Sequence, residues 1–344
     1  METAHEVLVA LARRYAFGEV AALVAAGAAG ARLTTRDGAQ IDQLCAFGQR
    51  LLDLDAEDFG NPDAATDANS DHSFADRVRG DGVPPALVAR ALACRMPQHP
   101  GERRRGALGS LRPVFGLLLE VIDARWRRRE TAGLVAAVHI TSEYLPLLVW
   151  ERVLGHAADP AQLPAQVGGE GSAWGDFDDA GCRHTRAEKG AASHAMRAVR
   201  DSPAGWRSYL DRQHSHVAHA LAVCAVECER PCTVLTRHRA EDQKTVEAGC
   251  RTALSYVDSS IVRLRHTAPV GHGFGVPSPA EVLAAWEHSR EALARHEPAV
   301  LTQDGFPLPG LPSLFSALAG ARVRPDTILA DTADALVEAL SAAG

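Results

Sequence analysis

The chain has 344 residues and a mass of 36.6 kDa, with 46% apolar and 23% charged residues; it is long enough to bury a core, and a mostly disordered or collagen-like polymer is excluded. Acidic residues outnumber basic ones by 43 to 36, so the strongly basic footprint of a nucleic-acid-binding protein is absent. No segment reaches about 20 uninterrupted apolar residues, and the N-terminus lacks the basic start and cleavage site of a secretory signal, so a soluble cytoplasmic protein is expected.

Ala, Leu, Val, Glu and Arg dominate and apolar positions recur at steps of three and four, which predicts an all-α fold. The predicted helices cover 3–29, 38–54, 84–95, 108–129, 131–154, 184–200, 204–229, 240–264, 278–295 and 325–342. Pro and Gly mark breaks at Met96–Gly106, Ala157–Asp176, Ala268–Pro279 and Glu297–Pro312. Residues 1–107 are expected to be an N-terminal helical extension with an acidic loop, and 108–344 the main helical domain.

The acidic loop is Asp55–Gly82. Its Asp67, Asn69 and Asp71 have calcium-loop spacing, but His72 and Val78 stand where glycine and a bidentate acid are needed, so a solvated loop is expected. Arg127, Arg128 and Arg129 close a helix and complement its C-terminal dipole. In the next helix, His139 and Glu143 are four apart and share one face, either as a helix-surface pair or as a titratable imidazole facing a pocket. Pro146, inside the same helix, is expected to kink it.

Farther on, Ser202 and Pro203 open a helix from which Arg207 and Ser208 emerge one turn in; such an arginine can grip a carboxylate or form a surface ion pair. The chain has seven cysteines, an odd number that points to reduced thiols or metal ligands. Three of them, Cys224, Cys228 and Cys232, recur every four residues; as metal ligands they would need a fourth from Cys182, His184 or Cys250, and otherwise they pack as small apolar groups. Finally Arg263, Arg265 and His266 end a helix that runs into Gly271, Gly273 and Gly275, alternate glycines that permit close backbone approach to a ligand.

In this order the segments around His139–Glu143, Ser202–Ser208 and Arg263–Gly275 resemble the histidine-ligated heme superfamily of tryptophan 2,3-dioxygenase and the heme-dependent aromatic (tyrosine) hydroxylases. The resemblance implies a helical bundle like that of tryptophan 2,3-dioxygenase, with 108–344 as the cofactor-binding domain. It implies heme, and an oxygenase acting on an aromatic amino acid with dioxygen or peroxide. By the same resemblance His139, with Glu143, is the distal catalytic residue, Arg207 and Ser208 bind substrate, and Gly271, Gly273 and Gly275 lie by the cofactor. His266 is then the iron ligand, with His238, His219 and His216 as alternatives. No nucleic-acid or membrane partner is expected, and a homo-oligomer is compatible with all of this. Two other readings stay open: a non-heme metalloprotein holding zinc or an iron–sulfur cluster on Cys224, Cys228 and Cys232, and a helical di-metal enzyme using Glu120, Glu143 and His139. The second lacks the repeated Glu-x-x-His pattern.

Overall fold

The computed structural model describes residues 2–28, 34–55, 82–97, 99–167, 174, 183–197, 203–228, 232–267 and 275–342. Among them there are helices and no strands, so the protein is all-α. The elements are α1 (Glu2–Ala12), α2 (Phe17–Ala25), α3 (Thr35–Leu52), α4 (Pro85–Cys94), α5 (Arg112–Arg128), α6 (Thr131–Leu154), α7 (Leu163–Val167), α8 (Arg186–Ala195), α9 (Pro203–Ser208), α10 (His214–Val226), α11 (Thr233–Thr236), α12 (Ala240–Val257), α13 (Ser260–Arg263), α14 (Pro279–Leu293), α15 (Leu311–Ala319) and α16 (Ile328–Ala342). A π turn, Tyr209–Gln213, joins α9 to α10, and a 3₁₀ turn, Leu264–Thr267, extends α13.

Local signals set many of these ends. Thr34 with Asp37, Thr185 with Glu188 and Ser278 with Glu281 form reciprocal capping boxes at the starts of α3, α8 and α14. Arg129 (φ 60) and Gly155 (φ 77) take left-handed conformations that stop α5 and α6.

Helix α6 is the axis of the bundle. It packs against α5, α10, α12 and α15 and against the α13 turn, and its buried positions include Leu134, Val138, Thr141, Leu145, Leu148 and Trp150. By length and composition it could cross a membrane, with mean hydropathy 1.5, yet 61% of that stretch is buried inside the protein. Its close crossing with α12 needs Gly249, where a Cβ would come within 2.7 Å of Val149. Helix α16 packs on α1, α3, α4 and α5, so both ends of the chain join one apolar core running from Leu8 to Leu340.

Several predicted boundaries are corrected. The helix expected over 3–29 breaks at 13–16, because Tyr15 turns left-handed (φ 59) and Arg128 donates to the exposed carbonyls of Arg14 and Tyr15. The one expected over 240–264 breaks before Ser260, where Ser289 Oγ takes the Ile261 N–H at 2.9 Å. The break expected at Glu297–Pro312 contains the start of a helix, α15. Pro312 stands in its first turn, and Gly310 before it (φ 85) lies so close to the Val300 carbonyl that a Cβ would overlap it at 1.8 Å. Pro146 lies inside α6, as expected. The loop residues Asp67, Asn69, Asp71, His72 and Val78 lie outside the described residues.

Candidate functional site

The center of α6 presents the His139–Glu143 pair, with His139 Nε2 3.0 Å from Glu143 Oε1. The other ring nitrogen, Nδ1, is buried without a hydrogen-bond partner. Contact with the His139 imidazole holds the Glu143 carboxyl below the usual glutamate range against the cost of burial, and the nearby charges of Arg265 and His219 act in the same direction. The pair is thus faced by α10, through His219, and by the 3₁₀ turn, through Arg265, whose Nε is also buried without a hydrogen-bond partner. This turn packs on α6 and carries His266, an exposed side chain that follows Arg265 directly.

The other candidate histidines are elsewhere. His238 sits edge-on to the buried Trp150, with ring centroids 6.3 Å apart. Trp150 is eleven residues beyond His139, which is about 16 Å along a helix. His216 lines a depression of about 330 Å³ together with Arg186, Gly190, His194, Arg197 and Gln213. Arg207 lies in α9, but its side chain, like Gly271 and Gly273, is outside the described residues; Ser208 is half-buried and Gly275 exposed. Trp206, before Arg207, is fully buried and donates Nε1 to the Pro97 carbonyl at 2.9 Å.

Glu120 does not join Glu143 and His139. It accepts the Leu329 and Ala330 N–H groups at 3.1 Å and so caps the start of α16.

The three spaced cysteines do come together. Cys232 Sγ lies 3.8 Å from Cys228 Sγ, and Cys224 Sγ lies 3.2 Å from His184 Nε2. His184 Nε2 also pairs with the Ala220 carbonyl at 2.8 Å. The Cys224 thiol and the Arg183 backbone N–H pull the Cys228 thiol well down, whereas burial pushes Cys224 up. Cys250 is buried beside Trp150 and is not part of this group, and Cys182 lies outside the described residues. Among the described residues, no three His, Cys, Asp or Glu side chains are grouped so as to hold a metal ion.

One buried polar network escaped the sequence reading. Asp159, fully buried, is held by two of the three Arg105 side-chain nitrogens, Nε at 2.7 Å and Nη2 at 2.6 Å. Its backbone N–H donates to His156 Nδ1, Tyr209 donates to the Ala158 carbonyl, and His214 Nε2 donates to the Ala157 carbonyl. Burial depresses the pKa of His214 to about 4, and the ring, neutral at pH 7, lies between Tyr144 and Tyr209. The available signal was a solitary Asp after a helix-stopping glycine, which composition does not distinguish from a surface turn.

The chain matches no protein-family model, no curated protein and no solved structure. The class that fold and site define is therefore an all-α protein with an ionizable cluster on its central helix.

Proposed function

We propose that this chain is a heme-dependent oxygenase, a hydroxylase or dioxygenase, acting on a small aromatic amino acid such as tyrosine, a tyrosine derivative or tryptophan. The observation that carries this reading is His139, whose buried Nδ1 lacks a hydrogen-bond partner while its Nε2 contacts Glu143 at 3.0 Å, on the face shared with His219 and Arg265. Leaving such a group unpaired costs on the order of 1–3 kcal/mol, and a bound ligand removes that cost. The donor set fits heme, which imidazoles ligate. His266 is assigned to hold the iron because its turn packs on α6 beside this face; His219, His238 and His216 are the alternatives. When bound, heme supplies the activation of dioxygen or peroxide.

The side chains divide the remaining work. His139 takes or gives a proton at Nε2, and Glu143 orients the ring and stabilizes its charged form. Arg207 is assigned to the substrate carboxylate with help from Ser208, and the buried Trp206 anchors the backbone of α9. Gly271, Gly273 and Gly275 let the chain approach the cofactor closely.

Reconstitution with hemin tests this directly. We expect a stoichiometric Soret band that shifts on titration with aromatic amino acids and shifts less with their amides, which lack the carboxylate. His139→Ala should keep the band and lose turnover, whereas His266→Ala should lose stoichiometric heme. A reconstituted chain with no Soret band would sink the proposal; full heme retention by His266→Ala would move the ligand to one of the alternatives.

A further inference from the structure

The thiols near the end of α10 form a cluster that the proposed oxygenase chemistry does not use. Cys228 and Cys232 both lie just outside helices and both are half-buried, so they are reachable from solvent. Their sulfurs are 3.8 Å apart and must close to about 2.05 Å to bond. Neither residue has to leave a helix for this to happen. By contrast, Cys45, Cys94, Cys224 and Cys250 are buried. His184 Nε2 is shared between the Ala220 carbonyl and Cys224, so the ring nitrogen nearest the thiols is already engaged.

We propose that Cys228 and Cys232 are a peroxide-reactive dithiol, with Cys228 the attacking sulfur and Cys232 the resolving one. The order follows from the surroundings. The Cys232 thiol donates toward the Cys228 sulfur at 3.8 Å, so Cys228 is the accepting sulfur of the pair, the one on which negative charge is supported. In the first step the Cys228 thiolate attacks a hydroperoxide oxygen. The O–O bond breaks, leaving a sulfenic acid on Cys228 and releasing, after protonation, water or an alcohol. In the second step the Cys232 sulfur attacks the Cys228 sulfur, the S–O bond breaks, water leaves and the disulfide forms. Two thiols lose two electrons in total, and one peroxide gains them.

The test uses the full reduced chain, treated with stoichiometric hydrogen peroxide, alkylated under denaturing conditions and mapped by mass spectrometry. The expected result is loss of two of the seven alkylatable thiols and a peptide link between Cys228 and Cys232, reversed by dithiothreitol. Cys232→Ser should instead accumulate a dimedone adduct on Cys228, and Cys228→Ser should give neither product. A link through any other cysteine overturns the proposal, as does dimedone labeling on neither residue. An equimolar zinc in the purified chain that keeps both thiols silent until chelated would also overturn it and make the cluster a metal site. These readouts require no heme, so their failure is separate from failure of the oxygenase reading.

Discussion

Arg105→Ala should destabilize the protein by about 3–5 kcal/mol, the range for breaking a buried ion pair by removing one partner. The Asp159 carboxylate has no solvent exposure and the arginine only 16%. Without the guanidinium, Asp159 keeps only the Ala161 N–H at 2.9 Å and a longer bond from Gln162 at 3.2 Å, too little to offset the lost hydration of a charge. The same guanidinium lies 4.9 Å from the center of the Trp206 ring and donates to the carbonyls of Pro100 and Glu102. The substitution therefore also loosens the segment that carries Arg207. Urea unfolding should show a lower midpoint at unchanged slope, with altered tryptophan fluorescence in the folded baseline. Arg105→Lys keeps the charge but loses the two-pronged geometry, so it should fall between. In the double variant Arg105→Ala, Asp159→Asn the loss should be smaller than the sum of the single losses. A loss below about 1 kcal/mol for Arg105→Ala would show that water replaces the arginine and that the pair is not buried in solution.

The second expected effect is a pH dependence centered on Glu120. Burial raises its pKa to about 7 against the opposing pull of the Leu329 and Ala330 N–H groups; Asp326 adds to the rise and Arg90 reduces it. In the unfolded chain the carboxyl releases its proton near 4.5. Between those values the folded state binds more protons than the unfolded state, so this group's contribution falls as pH rises through the window and is constant outside it. The full span amounts to on the order of 3 kcal/mol. Glu120→Gln keeps an oxygen for the α16 N–H groups and removes the ionization. The variant should therefore gain on the wild type between pH 5 and 7. His214 acts in the opposite direction. Its folded pKa of about 4 lies below the unfolded 6.5, so its contribution is full above 6.5 and is lost as pH falls toward 4. For this reason the wild-type profile alone is uninformative, and the quantity to measure is the difference between wild type and variant. A difference that does not change with pH would mean that Glu120 is ionized in the fold throughout.

Much of this protein is legible in the order of its residues, because helices report themselves locally. The three-and-four spacing of apolar side chains marks α6 over Thr131–Leu154 with the bounds it has in the fold, and the helix expected over 278–295 lies within two residues of α14, Pro279–Leu293, at either end. The four-residue spacing of His139 and Glu143 was enough to put them on one face of that helix, since the period of a helix allows no other arrangement. Pro312 misled for an equally local reason: a proline that stops one helix and a proline in the first turn of the next look the same in a string of letters.

Contacts across the bundle carry the rest. Tyr15 interrupts the first helix because Arg128, more than a hundred residues away, binds its carbonyl. Glu120 reads as one more acid on a helix until α16 arrives over it from the far end of the chain. Likewise Arg105 and Asp159 are two ordinary loop charges until the turn after α6, which carries Asp159, packs against both Arg105 and His214. Burial and charge pairing depend on distances through space, which no spacing along the chain encodes. That is why the helices and the His139–Glu143 pair could be read in advance, whereas the neighbors of that pair, the cap on α16 and the approach of Cys228 to Cys232 required the packed structure.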